Sequence, residues 1–135
     1  MQVQPYLFFN GRCQEAADFY CSQLGAVVTE KMLFREMPAS EGYTVAPEMA
    51  NKILHMSLQI GDTTVMMSDG MSDEAAKFEG FSLALGVAND AEAERFFGLL
   101  ADGGNVKMPM SPTFWSSRFG VVEDRFGVSW MVVVQ

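Results

Sequence analysis

One run of elements occurs twice in this chain, and that repetition limits the folds open to it more than any other feature. Residues 5–10, PYLFFN, form a short aromatic strand, and a helix follows over QEAADFYCSQLG, with Ala16, Ala17, Phe19, Tyr20 and Leu24 at helical spacing and Gly25 as its stop. Residues 26–37 read as a long strand. Residues 38–51, with two prolines and little periodicity, read as a loop. KILHMSLQI (52–60) alternates cleanly, with Leu54, Met56, Leu58 and Ile60 on one face and His55, Ser57 and Gln59 on the other. Gly61-Asp62 then turns the chain into TTVMMSD.

After the polar stretch MSDEAAKFEG the order restarts. FSLALGV (81–87) is a strand, and Asn89 or Asp90 caps the helix DAEAERFFGLLADGG. Residues 105–110 make a strand bounded by Pro109, and RFGVVED with GVSWMVVV closes the chain as a hairpin. Each half is therefore β-α-β-β-β, about 1–70 and 80–135. The helices support the repeat, since ADFYCSQLG and AERFFGLLADGG share an aromatic pair, a leucine and a glycine stop.

Composition removes several functions. The formal charge of −8 disfavours nucleic acid, which is bound by clustered Lys and Arg. No apolar run reaches the roughly 20 residues that cross a bilayer, and MQVQPYLFFNG has no signal-peptide pattern, so a cytoplasmic location is expected. Cys13 and Cys21 stand eight residues apart on one predicted helix, about 12 Å along its axis, and are expected as reduced thiols.

The segments GRCQEAADFYCSQLGA, MPASEG, HMSLQIGDTTVMMSDGM, FEGFSLAL and TFWSSRFGVVEDRFGVSWMV together resemble the PhnB-like branch of the vicinal oxygen chelate superfamily, over nearly the whole chain. That superfamily includes glyoxalase I, extradiol dioxygenases and bleomycin-resistance proteins. The resemblance implies an α+β fold of two βαβββ modules in a single glyoxalase-like domain, their strands curling into an open cup with helices behind. It also implies a homodimer. In the superfamily's metalloenzymes four side chains on the cup floor chelate a divalent ion, which acts as a Lewis acid. Carried onto this chain, those positions fall on Pro5, Met66 (Met67 if the register slips by one), Ser82 and Met131. Two thioethers, a serine and a proline are not the donors that Mg²⁺, Mn²⁺, Zn²⁺ or Ni²⁺ prefers. Copper(I) suits methionine, but thioethers in such a place more often pack or line a pocket. No metal or cofactor is expected.

With Met131 in the cup, alternation places Ser129 and Val133 beside it and Trp130 against the helix. The same parity argument turns Leu7 and Phe9 inward from the first strand and Ser82 and Ala84 from the fifth. A ligand-binding set of Phe9, His55, Ser57, Gln59, Met66, Ser82, Trp115, Arg118 and Met131 follows, an apolar lining with few polar contacts.

His55 is the chain's single histidine. It reads either as a base or ligand partner in the cup, or as a strand histidine bonded to a neighbour. Arg118, between aromatics in FWSSRFG, either clamps an anionic group or pairs with Glu123 or Asp124 on the surface. The 38–51 loop reads equally as a lid or as a mobile insert. Chains of the PhnB-like branch often carry a demethylubiquinone methyltransferase-like label. This one has no nucleotide-cofactor loop and is too short for a Rossmann methyltransferase with a substrate domain. Three functions stay open: metal-free binding of a small molecule in the cup, an enzyme using His55 and Arg118 or a metal bound elsewhere, and an interaction domain whose cup has filled in.

Overall fold

The computed structural model describes residues 1–38 and 44–135. The chain divides into two compact units, residues 1–76 and 77–135, each with one four-stranded sheet and one helix. The first unit holds β1 (Tyr6–Phe8), α1 (Cys13–Leu24), β2 (Val27–Leu33), β3 (Ile53–Ile60) and β4 (Thr63–Ser68). The second holds β5 (Leu83–Val87), α2 (Asp90–Ala101), β6 (Asn105–Ser111), β7 (Phe119–Glu123) and β8 (Ser129–Val134). The strand orders are β1-β4-β3-β2 and β5-β8-β7-β6. In each sheet the first and last strands pair in parallel and the remaining pairs are antiparallel. Both units have the same wiring, and the fold is α+β with two open mixed sheets.

The first core forms between α1 and one face of its sheet. Cys13, Ala16, Ala17 and Tyr20 on the helix are buried with Leu7, Phe9, Met56, Leu58 and Met67 on the strands. Gly25 ends α1 with φ 70°, a conformation that costs a side-chain-bearing residue energy, and its N–H bonds the Tyr20 carbonyl. At the other end Arg12 gives no side-chain cap. Asp69, just past β4, supplies one: Oδ1 accepts from the N–H groups of Gly11 and Cys13, both at 2.9 Å, while Oδ2 accepts from Ile53 at 2.8 Å. The buried carboxylate thus joins the start of α1 to the start of β3.

The second core forms the same way, with Ala93, Phe97 and Leu100 of α2 and Val122, Trp130 and Val132 of β7 and β8 buried. The helix start is capped by Asn89, whose Oδ1 accepts from Glu92 N at 2.9 Å. Asp124, also buried, organises the β7–β8 turn: Oδ1 accepts from Phe126 and Val128, and Oδ2 from the Trp130 indole at 2.9 Å.

Two expectations about elements change. The strand read over 26–37 stops at Leu33, and Phe34–Glu36 form a single 3-10 turn. Phe34 is buried there, with its N–H on the Lys52 carbonyl and Arg35 N on that of Ala50, so contacts with the segment before β3 override strand propensity. In the loop, Pro47–Met49 make another 3-10 turn, while the part of the expected lid at 39–43 lies outside the described residues.

Candidate functional site

Each sheet has one face against its helix and one open face. On the first sheet, pairing places Glu30 of β2, Ser57 of β3, Met66 of β4 and Tyr6 of β1 in one row across the open face. Beside it, Met32 pairs with His55 and Phe8 with Ser68. The floor is close-packed, with Ser57 and Ser68 5% and 3% exposed. Its two margins stand clear, with Phe8 52%, Met32 41% and Tyr6 39% exposed. The result is a shallow trough, roughly 14 Å across four strands.

A string of polar atoms runs along this trough. The Tyr6 hydroxyl lies 3.0 Å from His55 Nδ1, and His55 Nε2 lies 3.0 Å from Ser57 Oγ. Glu30 Oε2 is 3.5 Å from the same Nε2. The Tyr6 ring stands 5.6 Å from the imidazole and 5.1 Å from Phe8. Burial pushes the Tyr6 phenol up, the nearby Cys13 adds to the rise, and a hydrogen bond with Ser68 works against it. The phenol is protonated at neutral pH and can donate to Nδ1; when it does, Nε2 carries the imidazole proton, directed at Ser57 Oγ and the Glu30 carboxylate. In that tautomer Ser57 accepts instead of losing its proton, so the string orders donors and acceptors and does not activate a serine.

The second sheet's open face has a different chemistry. Ala84, Met131, Val121 and Met108 form a row across it. Ser82 and Ser129 bond each other at 2.6 Å and so satisfy one another. Trp115 packs edge-on against Phe119 at 5.4 Å and is 56% exposed, while Phe114 contacts it at 4.7 Å. A Thr113–Ser116 turn holds this aromatic step in place.

Among the expected residues, His55, Ser57 and Met66 share the open face of the first sheet, and Ser82, Met131 and Trp115 belong to the second unit. Gln59 is taken up by the hairpin, donating to the Gly61 carbonyl and accepting from Thr64 Oγ1. Phe9 is corrected: it and Leu7 are buried on the helix side, Phe9 with its ring 6.4 Å from that of Tyr20, and Tyr6 and Phe8 hold the open-face positions. YLFF is apolar throughout, so alternation could not choose its face; pairing with β4 does. Pro5 shares the parity of Leu7, and its carbonyl accepts from Met66 N. Arg118 turns toward α2, with Nε 3.2 Å from Glu94 and a terminal nitrogen 4.0 Å from Asp90, so its partners are not Glu123 or Asp124.

Sequence reading missed Tyr6 and Glu30. Tyr6 would have followed from aligning β1 against Met66 instead of counting from Pro5. Glu30 had no such signal, because a bulge between Val28 and Glu30 shifts the parity of β2. The superfamily's divalent ion does not fit the residues at its positions, which offer no carboxylate or imidazole. Among the described residues no three His, Cys, Asp or Glu side chains converge as a metal site.

Comparison with known proteins gives a consistent set of relatives. Residues 1–133 match the family described as 3-demethylubiquinone-9 3-methyltransferase. Over 142 residues the chain is 37% identical to Protein YjdN of Escherichia coli (strain K12), covering 99% of this chain and 95% of that protein. The crystal structure of protein PA1353 from Pseudomonas aeruginosa matches with a TM-score of 0.87 and 40% identity, over 100% of this chain and 98% of that one. A putative 3-demethylubiquinone-9 3-methyltransferase, PhnB protein, from Bacillus cereus matches over the whole of both chains with a TM-score of 0.79; at 21% identity this likeness concerns the fold alone.

Proposed function

Because the chain belongs to the family described as 3-demethylubiquinone-9 3-methyltransferase, the PhnB-like branch of the vicinal oxygen chelate superfamily, we propose that it uses that fold to bind a small organic molecule without an intervening metal ion. The observation that carries this reading is the trough on the first sheet. Exposed Tyr6, Phe8 and Met32 flank the hydrogen-bonded run Tyr6–His55–Ser57, an apolar surface with a few fixed polar atoms. A flat ligand would lie against the rings and thioethers, while His55 and Ser57 would fix its orientation.

The family description names a methyl transfer. The described elements build two mixed, largely antiparallel sheets, whereas a nucleotide methyl donor is usually held by a parallel sheet with a glycine-rich strand-to-helix turn. These elements favour binding over methyl transfer. We also propose that the chain pairs with a second copy. The edge strands β2 and β6 support this, since Val27, Val28, Val106 and Met108 are exposed along them.

The test combines metal analysis of protein purified without chelator with an NMR screen of aromatic fragments against chain carrying ¹³C-methyl methionine. Shifts at Met32 and Met66, in protein without a stoichiometric divalent ion, are the expected result. Shifts confined to Met108 and Met131 would move the site to the second unit, and a stoichiometric divalent ion would overturn the metal-free reading.

A further inference from the structure

The charges on the trough select among ligands. Glu30 projects from β2 with its side chain 70% exposed, and the basic group recorded against it is the imidazole of His55 at 3.5 Å. Lys31, the next residue, pairs with Met56 and so stands at the opposite parity, on the side of the buried core. Arg118, the guanidinium considered for an anion, is engaged by Glu94 at 3.2 Å. An anionic ligand in the trough would therefore meet a carboxylate beside the aromatic rings of Tyr6 and Phe8. A cation would be attracted by the carboxylate, and where it stacks on a ring face it gains a cation–π contact as well. The chain's net charge of −8 adds to that preference at long range.

We propose that the first unit's trough binds an organic cation, with an ammonium group beside Glu30 and an aromatic or alkyl body against Tyr6, Phe8 and Met32. This deepens the binding function proposed above and rests on it. The polar string contributes a second determinant. With Tyr6 donating to Nδ1, the proton on Nε2 helps hold the Glu30 carboxylate over the trough, and Ser57 Oγ retains one lone pair that an N–H of the ligand can use. Primary and secondary amines satisfy both conditions, whereas carboxylates and phosphates, although they could accept from the Ser57 hydroxyl, would be repelled by Glu30.

Three probes of matched shape separate the possibilities: benzylamine, benzyl alcohol and phenylacetate, titrated at pH 7 into chain labelled at the methionine methyls. Benzylamine is expected to shift Met32 and Met66 at the lowest concentration and phenylacetate to leave them unmoved. In E30Q the dissociation constant of benzylamine should rise about threefold, the size an exposed ion pair supports, with benzyl alcohol unchanged as the internal control for folding. If benzyl alcohol and benzylamine bind alike and E30Q changes neither, or if phenylacetate binds best, the cation class falls while the site stands. If no probe shifts Met32 or Met66, the site itself falls.

Discussion

The Asp69 carboxylate accepts three main-chain N–H groups from two separate segments, and it is 4% exposed. An asparagine there would turn an N–H toward groups that are themselves donors. D69N is therefore expected to cost about 3 kcal/mol, readable as a lower midpoint in chemical denaturation, because buried donors are left without acceptors. The same carboxylate bears on Cys13. Burial first, and the charge of Asp69 second, push that thiol from 9.0 up to about 12. Well below pH 9 the thiol is protonated in both folded and unfolded chains. Above it the unfolded chain ionises first, so stability should fall as pH rises from about 9 toward 12, by up to about 1.4 kcal/mol per pH unit. Denaturation at pH 8, 9, 10 and 11 should show this slope, and C13A should flatten it; an unchanged slope in C13A would assign it to other groups. The role of Asp69 was not legible in the sequence. MMSD reads as the end of a strand, and only folding brings its aspartate against residues 56 and 58 positions earlier.

Elements were more legible than the positions within them. β3 alternates polar and apolar residues, so its two faces could be assigned from the sequence, and the helices followed from spacing and glycine stops. β1 has no alternation, β2 hides a bulge, and the ends of β2 depend on contacts made many residues away. That difference explains why sequence alternation puts His55 and Ser57 on the open face but gives Phe9 the wrong one. The glycines of the second unit provide a test at this scale. Gly98 lies inside α2, where a methyl group would meet nothing within 4 Å, so G98A should stabilise by about 0.5–1 kcal/mol through helix propensity. At Gly104, beside the end of β7, a Cβ would clash with the Glu123 carbonyl oxygen, and backbone cannot yield as a side chain does. G104A should cost about 2 kcal/mol. Opposite shifts in thermal midpoint would bear out both placements; equal shifts would count against them.

For the molecule as a whole, the proposed pairing predicts one number. Light scattering after size exclusion should give twice the 14.9 kDa of a single chain, and lysine substitutions at Val27 and Met108 should return it to the single mass. A single-chain mass for the unsubstituted protein would reject the proposal. The described residues contain no helix long and apolar enough to cross a membrane. The matching β-α-β-β-β order of the two units was fully visible in the sequence, because it depends on the order of local patterns and on turns. The two open faces were not, because which residues share a row is decided by pairing between strands distant in the chain. The two buried aspartates, one in each unit, make a further point. Asp69 and Asp124 each tie down backbone N–H groups from beneath the sheet's ends, and neither contributes an atom to the Tyr6–His55–Ser57 string. Frame and open-face string are therefore specified by separate residues, so substitutions along the exposed rows leave these two anchors in place.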